Sequence, residues 1–447
     1  MLFKQFVDDD LGCASYLIGC EQAGEAVVVD PAYAIEPYLD EAERRRVRIT
    51  RVVETHNHAD HVSGHGRLAL EDGARVSIHP AAEPEYDFDA FEDGDEIAVG
   101  NVTLRCLHTP GHRPEHCAVA VVDRTRGDDP WLVLTGDSLF IGDAARPDLA
   151  VAAAEGAEGL FHSLRALVEL GDGVEVYPGH VAGSLCGAGM SSKASSTIGF
   201  ERRFNRALQF GDPDDFVADA LSKNAPRPPN MDRIVALNRG PFLGAPPALE
   251  QLGAPPEGTV ALDVRKADQF AAGHLPGAIN VPLGGSSFAT RAGFLLDDRP
   301  VTIHATSAEQ AERAARGLRA VGIVELAGYV VDPEGATERL QPIDLDELES
   351  LLGEGKVEVL DVREADERDE GYIAGTRHIP YRLLPALSDG LPSDKPVVTI
   401  CQTGARAAIA ASVLAARGVD VRPVLAGGVP DWESRGGRTI EFRRCGS

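Results

Sequence analysis

The sequence predicts an α/β protein with one larger sandwich domain followed by two small domains that repeat one pattern. From Leu2 to about Gln209, short β-branched runs alternate with turn residues and helical stretches, which is typical of a layered α/β domain. A proline-rich stretch then interrupts this pattern. Beyond it, several short sequence matches recur in the same order 96 to 98 residues apart, so we expect two copies of one domain.

The composition narrows the possible functions. With 447 residues the chain is too long for one core, and its 43% hydrophobic and 25% charged residues are typical of soluble globular proteins. A net charge of −27 disfavours binding to nucleic acids or anionic membranes, because both need clustered Lys and Arg. No apolar run reaches the roughly 20 residues of a membrane span. Seven cysteines without framework spacing, and the lack of a signal-peptide pattern, lead us to expect a cytoplasmic location.

The first domain is expected over residues 1–224. Residues 26–30 have the continuous apolar pattern of a buried strand, and residues 64–70 and 160–170 have the periodicity of helices. Together they predict an α/β sandwich whose functional loops lie at one edge.

Seven potential metal ligands lie in this domain, in groups that each follow a short apolar run with the pattern of a strand. The ligands are His56, His58, Asp60, His61, His112, Asp137 and His180, and the runs are residues 51–54, 102–107, 131–134 and 174–177. Side chains at strand ends can be held rigidly and still converge, so we expect a metal site. Two histidines and one carboxylate are typical of non-haem Fe(II) oxygenases. Imidazoles and carboxylates also hold one or two Zn ions in hydrolases, so the residue types leave both possibilities open.

Residues 225–249 are predicted to be a surface linker, because proline lacks an N–H, fixes φ and resists helix and central strand. The repeat follows this stretch. Residues 262–265 read Leu-Asp-Val-Arg and recur at residues 360–363, which predicts two small α/β domains over residues 250–335 and 340–447.

A cysteine site is predicted in the second copy. Residues 397–400 have a buried-strand pattern, Cys401 opens a six-residue loop that ends at Arg406, and residues 407–417 are predicted to be a helix. Backbone N–H groups at a helix N-terminus, together with the guanidinium, favour a thiolate and would equally hold a cysteine persulfide. The first copy lacks the thiol and is predicted to be inactive. There Ala305, Ala308 and Gln310 stand in the positions of Cys401, Gly404 and Arg406.

Residues 1 to about 210 resemble the persulfide dioxygenase branch of the metallo-β-lactamase superfamily. The matching stretches are residues 15–19, 55–61, 109–112, 135–140 and 146–149. The resemblance implies an αββα sandwich and one Fe(II) per chain, held by His56, His112 and Asp137. By the same resemblance the other ligand-type residues orient these three. Those residues are His58, Asp60, His61 and His180.

The resemblance also implies two substrate contacts. Arg146 falls where the family contacts the carboxylate end of glutathione persulfide, a task that suits a guanidinium fork. After His180 the chain lacks the tyrosine of the glutathione-type enzymes and resembles persulfide dioxygenase–rhodanese fusion proteins instead. Cys186 in that stretch is expected near the iron, in contact with the substrate sulfur. The identity of the thiol stays open.

Residues 340–440 resemble rhodanese sulfurtransferases through the loop 401–406 and through residues 361–363 and 427–432. The resemblance implies that Cys401 carries a sulfane sulfur, and a six-residue loop suits sulfur rather than phosphate chemistry in that superfamily. Residues 250–335 resemble an inactive rhodanese-like domain.

The two resemblances together imply a bifunctional sulfur-detoxification enzyme. Fe(II) and O2 would oxidise a low-molecular-weight persulfide to sulfite and a thiol, and Cys401 would transfer sulfur to give thiosulfate. A dinuclear-zinc thioester hydrolase resembling glyoxalase II, with an accessory rhodanese domain, is the alternative that seven ligands permit. A non-catalytic persulfide relay is disfavoured by the intact His56, His112 and Asp137. The expected partners are a persulfide, O2, sulfite and thiosulfate, and a homo-oligomer is compatible with the sequence.

Overall fold

The structure, a computed structural model, divides the chain into two compact units. It describes residues 1–147, 152–181, 191, 193–222, 227–284, 287–388, 391 and 394–441. The first unit comprises residues 1–246 with residues 319–322, and the second comprises residues 247–318 and 323–447. Within the described residues, every helix falls short of the length and apolar content that crossing a bilayer demands.

The first unit contains two six-stranded sheets. The first sheet consists, in spatial order, of β1 (Leu2–Val7), β2 (Ala14–Cys20), β3 (Glu25–Val29), β4 (Arg48–Val53), β5 (Arg75–Ile78) and β6 (Asp89–Ala90). The second consists of β7 (Glu96–Val99), β8 (Val102–His108), β9 (Cys117–Asp123), β10 (Leu132–Gly136), β11 (Glu175–Pro178) and β12 (Ser196–Thr197), also in spatial order. Residues 26–30 and the four runs before the ligands therefore fall on strands, as the apolar patterns predict, except for residues 30, 54, 131 and 174, which lie one position outside.

The two sheets pack face to face, with helices on the outer faces. Side chains from both sheets, such as Ile18 and Val121, share one buried core between the layers. The helices are α1 (Glu36–Arg45), α2 (His65–Asp72), α3 (Ala153–Val168), α4 (Ile198–Phe204), α5 (Pro213–Ser222) and α6 (Met231–Arg239). Apolar residues of α1 and α2 cover the first sheet, and those of α3 cover the second. This arrangement is the predicted αββα sandwich.

The expectation that residues 225–249 form no helix is wrong for their central part. Helix α6 lies between Pro229 and Pro241 and contains no proline, so its backbone hydrogen bonds are intact. Met231 and Ile234 bury one apolar face of α6. Most of the predicted linker thus belongs to the first compact unit, which extends to residue 246.

The second unit contains two parallel four-stranded sheets with the same strand order. In chain order the strands of the first sheet are β13 (Val260–Asp263), β14 (Ile279–Asn280), β15 (Val301–His304) and β16 (Leu326–Val330). Those of the second sheet are β17 (Glu358–Asp361), β19 (Arg377–His378), β20 (Val397–Ile400) and β21 (Val421–Pro423), while β18 (Tyr372–Ile373) pairs with β22 (Thr439–Ile440). The spatial orders are β14-β13-β15-β16 and β19-β17-β20-β21. The predicted repeat is therefore a repeat of one parallel α/β domain.

Helices connect the parallel strands in both copies. They are α7 (Ala267–Ala272), α8 (Phe288–Leu295), α9 (Ala308–Ala320), α10 (Leu345–Gly353), α11 (Ala365–Glu370), α12 (Leu384–Leu387), α13 (Ala405–Ala415) and α14 (Val429–Ser434). The repeated Leu-Asp-Val-Arg motif has the same role twice. Arg265 and Arg363 each form a forked hydrogen-bonded pair with the aspartate two residues before them, at the end of the central strand.

Candidate metal centre and sulfur-transfer loop

Four loops of the first unit meet at one edge of the sandwich. His56 follows β4, His112 follows β8, Asp137 directly follows β10, and His180 follows β11. Strand β9 is antiparallel to β8 and to β10, and β11 is parallel to β10, so the C-terminal ends of β8, β10 and β11 lie at the same edge. The sheet topology therefore brings together ligands that are far apart in the chain.

His56, His112 and Asp137 converge. One ligand atom from each lies within 4.8 Å of the other two, and all three side chains are buried. Nε2 of His112 lies 3.6 Å from Oδ2 of Asp137. Among the described residues, Nε2 of His56 and Oδ2 of Asp137 have no hydrogen-bond partner. Because buried polar atoms in folded proteins are almost always paired, this set of facing lone pairs fits a metal ion.

Hydrogen bonds on the opposite ring nitrogens set the tautomers of the two histidines. Oγ1 of Thr55 donates to Asp30, so it can only accept from Nδ1–H of His56, 2.9 Å away. Nδ1–H of His112 donates to the carbonyl of Arg146 at 2.9 Å. Both Nε2 atoms are thereby left with a lone pair. Burial, reinforced by neighbouring rings, holds the pKa of His56 well below its ordinary value, and burial also lowers the pKa of His112.

Asp137 is held as a carboxylate. Oδ1 of Asp137 lies 2.7 Å from Nδ1 of His180, and its backbone N–H donates to Nε2 of His116 at 2.9 Å. Burial alone would favour the neutral acid, but His180 lowers the pKa of Asp137 to about 2. The preceding Gly136 has φ 47°, and a Cβ there would lie 2.6 Å from Nε2 of His116, so only glycine fits.

His58 is turned toward a pair of carboxylates. Its Nε2 lies 3.1 Å from Oε2 of Glu54 and 3.2 Å from Oδ1 of Asp30. Within the part of the chain that the structure describes, its Nδ1 has no hydrogen-bond partner. Burial opposes a positive charge on this ring, but Asp30 and Glu54 raise the pKa of His58 to about 9. Nε2 of His58 is therefore engaged by carboxylates and is not one of the three converging ligand atoms.

The last three ligand-type residues form a separate group around a cysteine. Nε2 of His180 lies 2.6 Å from Oδ2 of Asp60, and Nδ1 of His61 lies 3.1 Å from Oδ1 of Asp60. Sγ of Cys13 lies within 3.6 Å of one polar atom of each of these residues. His180 thus links the convergent triad, through Asp137, to this second group.

Asn238 of α6 braces the loop that carries the histidine cluster. Its side-chain oxygen accepts from the backbone N–H of Ser63 at 2.8 Å, and its amide nitrogen donates to the carbonyls of His58 and His61 at 3.0 and 2.8 Å. Sequence reasoning missed Asn238, as it missed Thr55 and His116, because none of them belongs to a ligand motif. Asn238 could have been noticed because it is a polar residue on the apolar face of the amphipathic segment 231–239.

Of the two predicted substrate contacts, Arg146 lies within the described residues. Arg146 is half-buried, and its backbone carbonyl, rather than its guanidinium, is the group seen to position His112. Cys186 lies outside the described residues, as do residues 148 and 149 of the matching stretch.

The cysteine of the second unit sits in a cradle at the start of α13. Cys401 follows β20 and is buried, and the backbone N–H of Gly404 donates to its Sγ at 3.1 Å. Gly404 has φ 95°, and a Cβ there would lie 2.0 Å from the carbonyl oxygen of Leu425, so the turn requires glycine. Arg406 makes a forked pair with Glu367 at 2.5 and 2.6 Å, which raises the pKa of Arg406 further. In the first copy, Ala305 follows β15 at the equivalent position.

Family models match both parts of the chain. The model of the metallo-β-lactamase superfamily matches residues 8–180, and the model of the rhodanese-like domain matches residues 248–331 and 344–435. The chain therefore contains one domain of the first kind and two of the second.

Several known proteins are similar to this chain. The mitochondrial persulfide dioxygenase ETHE1 of Bos taurus is 29% identical over 253 residues, which is 56% of this chain and 91% of that protein. A hydroxyacylglutathione hydrolase of Parasynechococcus marenigrum is 33% identical over 160 residues, which is 35% of this chain and 61% of that protein. The crystal structure of a metallo-beta-lactamase from Staphylococcus aureus has a TM-score of 0.67 and 30% identity, and the match covers 74% of this chain and 98% of that one.

Proposed function

Because the chain belongs to the metallo-β-lactamase superfamily and carries two rhodanese-like domains, we propose that it is a bifunctional enzyme of sulfur metabolism. The first unit oxidises a low-molecular-weight persulfide with O2 to sulfite and the free thiol. Cys401 of the second unit transfers a sulfane sulfur, so that sulfite becomes thiosulfate. The observation that carries the proposal is the pairing, in one chain, of a buried triad of facing ligand atoms with a cysteine cradle.

Both reactions balance. In the first, R–S–S⁻, O2 and H2O give R–SH, sulfite and H⁺, and O2 takes up the electrons that the terminal sulfur loses. In the second, sulfite attacks the terminal sulfur of the Cys401 persulfide. The S–S bond of that persulfide breaks, its electron pair returns to Cys401 as a thiolate, and thiosulfate leaves. A second molecule of R–S–S⁻ then transfers its terminal sulfur to this thiolate, which restores the Cys401 persulfide and releases R–S⁻. A persulfide dioxygenase is among the similar proteins, which supports the first reaction.

His56, His112 and Asp137 would hold one Fe(II) per chain. When bound by such a triad, Fe(II) supplies the activation of O2. The protein holds the ligands: Thr55 and the Arg146 carbonyl keep both Nε2 lone pairs directed inward. His180 positions the triad through its hydrogen bond to Asp137. Carboxylates engage His58 and His61, and we propose that these residues and Asp60 also serve to position the triad. Arg146 and Cys186 remain proposed contacts of the persulfide.

In the second unit, the cradle stabilises negative charge on sulfur. The N–H of Gly404 and the N-terminal end of α13 face Cys401, so both the thiolate and its persulfide gain a hydrogen bond and a favourable dipole. Arg406 is fixed by Glu367 near the loop, where it adds positive charge. Ala305 offers no thiol, so the first copy carries no sulfur.

Oxygen consumption tests the first reaction. The protein is loaded anaerobically with Fe(II) and then mixed with O2 and a panel of low-molecular-weight persulfides. We expect persulfide-dependent oxygen uptake in the wild type, loss of uptake and iron in His112→Ala, and no change in His162→Ala, which alters an exposed histidine of α3. Iron-loaded wild type that consumes no O2 with any persulfide would contradict the proposal.

A zinc-dependent thioester hydrolase is the second candidate, favoured by the match to a hydroxyacylglutathione hydrolase. That match reaches only 61% of the relative and does not account for the Cys401 cradle. Metal analysis separates the candidates: about one iron per chain supports the oxygenase, and about two zinc ions with thioester cleavage support the hydrolase.

A further inference from the structure

Three of the four further ligand-type residues lie together beside the convergent triad, and a cysteine from a distant part of the sequence lies among them. Cys13, Asp60 and His61 each offer one ligand atom, and these atoms lie within 4.8 Å of one another. His180 completes the group, because its Nε2 lies 3.3 Å from Sγ of Cys13. By residue type alone, this group could hold a second ion next to the first.

The distances indicate a hydrogen-bonded cluster. Two nitrogen or oxygen ligands on one tetrahedral zinc ion lie about 3.3 Å apart, given bonds of about 2.0–2.1 Å. Oδ2 of Asp60 and Nε2 of His180 are only 2.6 Å apart, which is the separation of a direct charge-assisted hydrogen bond. The other nitrogen of His180 lies 2.7 Å from Oδ1 of Asp137, so both nitrogens of this ring are engaged by carboxylates.

The thiol fills the space that these polar groups enclose. Sγ of Cys13 lies 3.6 Å from Oδ2 of Asp60 and 3.5 Å from Nδ1 of His61. A thiol is a weak donor and a weak acceptor, so it can satisfy a carboxylate and an imidazole N–H at once without displacing either. An ion bound to the same polar atoms would have to break these contacts and the direct bond between Asp60 and His180.

The backbone holds Cys13 in this position. Residues 13 and 180 form an antiparallel bridge, in which the N–H of Ala14 donates to the carbonyl of Gly179 at 2.7 Å. The N–H of Val181 donates to the carbonyl of Gly12 at 2.9 Å on the other side. These hydrogen bonds fix the backbone of residue 13 beside the cluster. A change of the side chain alone leaves the cluster without its central atom.

We infer that Cys13 occupies the second metal position and thereby limits the chain to one metal ion. This inference rests on the proposed one-ion centre. It explains why the chain binds only one ion although it has enough ligand-type residues for two. It makes Cys13 a specificity-determining residue, because the number of ions separates the two candidate chemistries of this site.

Metal stoichiometry tests the inference. Wild type, Cys13→Ala and Cys20→Ala are stripped of metal, incubated with excess Zn²⁺, desalted and analysed by mass spectrometry of the metal. Cys20 is the matched control, since it is a buried cysteine at the far end of β2. We expect about one ion per chain in wild type and Cys20→Ala, and about two in Cys13→Ala. About one ion in a folded Cys13→Ala protein overturns the inference.

Cobalt spectroscopy of wild type and Cys13→Ala provides a second test. Excess Co²⁺ is added to the metal-free wild type, and absorption is recorded for thiolate-to-cobalt charge transfer. We expect no such band, because the thiol of Cys13 is a hydrogen-bonding group in this account. A band that disappears in Cys13→Ala, or about two ions in the wild type, means that Cys13 is a ligand, and the inference is then wrong.

Oxygen uptake by the iron-loaded wild type separates the failure of this inference from failure of the proposed function. Uptake by wild type with no gain of a second ion in Cys13→Ala refutes only the role of Cys13. A gain of the second ion in Cys13→Ala, without oxygen uptake by wild type, supports that role and refutes the dioxygenase.

Discussion

Replacement of Asn238 tests whether α6 is part of the metal centre. The Asn238 side chain is buried and makes three hydrogen bonds with the backbone of the histidine loop, at Ser63, His58 and His61. Each hydrogen bond contributes about 0.5–1.5 kcal/mol net, and each backbone group left buried without a partner costs about 1–3 kcal/mol. We therefore expect Asn238→Ala to reduce the free energy of unfolding of the first unit by about 3 kcal/mol.

The assay is calorimetry combined with metal titration. In a unit of this size, about 1 kcal/mol corresponds to about 2–4 °C in Tm, so the transition that shifts when Fe(II) is added should fall by about 6–12 °C. The same change should weaken Fe(II) binding about 10- to 100-fold, as is typical when groups that orient metal ligands are removed. Both effects share one cause, because the loop that carries His56 loses its brace.

Two variants sharpen this prediction. Asp232→Ala changes an exposed position on the same helix and should move Tm by no more than about 2 °C. Asn238→Asp keeps an acceptor for the Ser63 N–H but places oxygen against two carbonyls, so it should be nearly as damaging as Asn238→Ala. If Asn238→Ala melts and binds Fe(II) like the wild type, α6 does not brace the loop and the reasoning fails.

The remaining predictions concern ligands, sulfur transfer and pH. His112→Ala should lose iron and oxygen uptake together, whereas His58→Ala should keep most of its iron and lose about 10- to 100-fold in activity. Equal loss of iron in both variants would show that His58 is a ligand. Cys401→Ser should abolish transfer of sulfur from thiosulfate to an acceptor and retain oxygen uptake with a supplied persulfide. Loss of oxygen uptake by the folded variant would show that the two sites do not act independently. Burial raises the pKa of Glu367, but the pairing with Arg406 outweighs burial and lowers that pKa overall. The wild type should therefore be more stable than Glu367→Gln at neutral pH. In denaturant titrations, this difference in the free energy of unfolding should vanish as the pH falls below 4.5, the ordinary pKa of a glutamate. A difference that grows on acidification would contradict the prediction.

Those features of the site that follow from strand periodicity were predictable from the sequence. His112 and Asp137 each follow an apolar run, and such runs form strands whose ends meet at one edge of a sheet. The Cys401 loop was recognisable for the same reason, because a strand, a glycine-containing turn and a helix occur in immediate succession. The repeat identified the second and third domains without any knowledge of their packing.

The parts of the site that depend on contacts across the chain were not predictable. Thr55 and Asp30 set the tautomer of His56, but nothing in their local sequence marks them as partners. Cys13 meets His180 only because the residue before β2 and the loop after β11 are neighbours in the fold. A linker was predicted in place of helix α6 because prolines flank this segment, although the helix itself contains none.

The central claim is that one chain makes sulfite at the metal centre and converts it to thiosulfate at Cys401. The most direct measurement is the product ratio after persulfide and O2 are incubated with iron-loaded wild type or Cys401→Ser, with sulfite and thiosulfate derivatised and separated by chromatography. Cys401→Ala serves as a second variant, and a protein-free incubation corrects for the uncatalysed reaction of sulfite with persulfide. The account predicts thiosulfate as the main product of wild type and sulfite as the main product of both variants, at similar oxygen uptake. Equal thiosulfate from wild type and the variants, after correction, would contradict it.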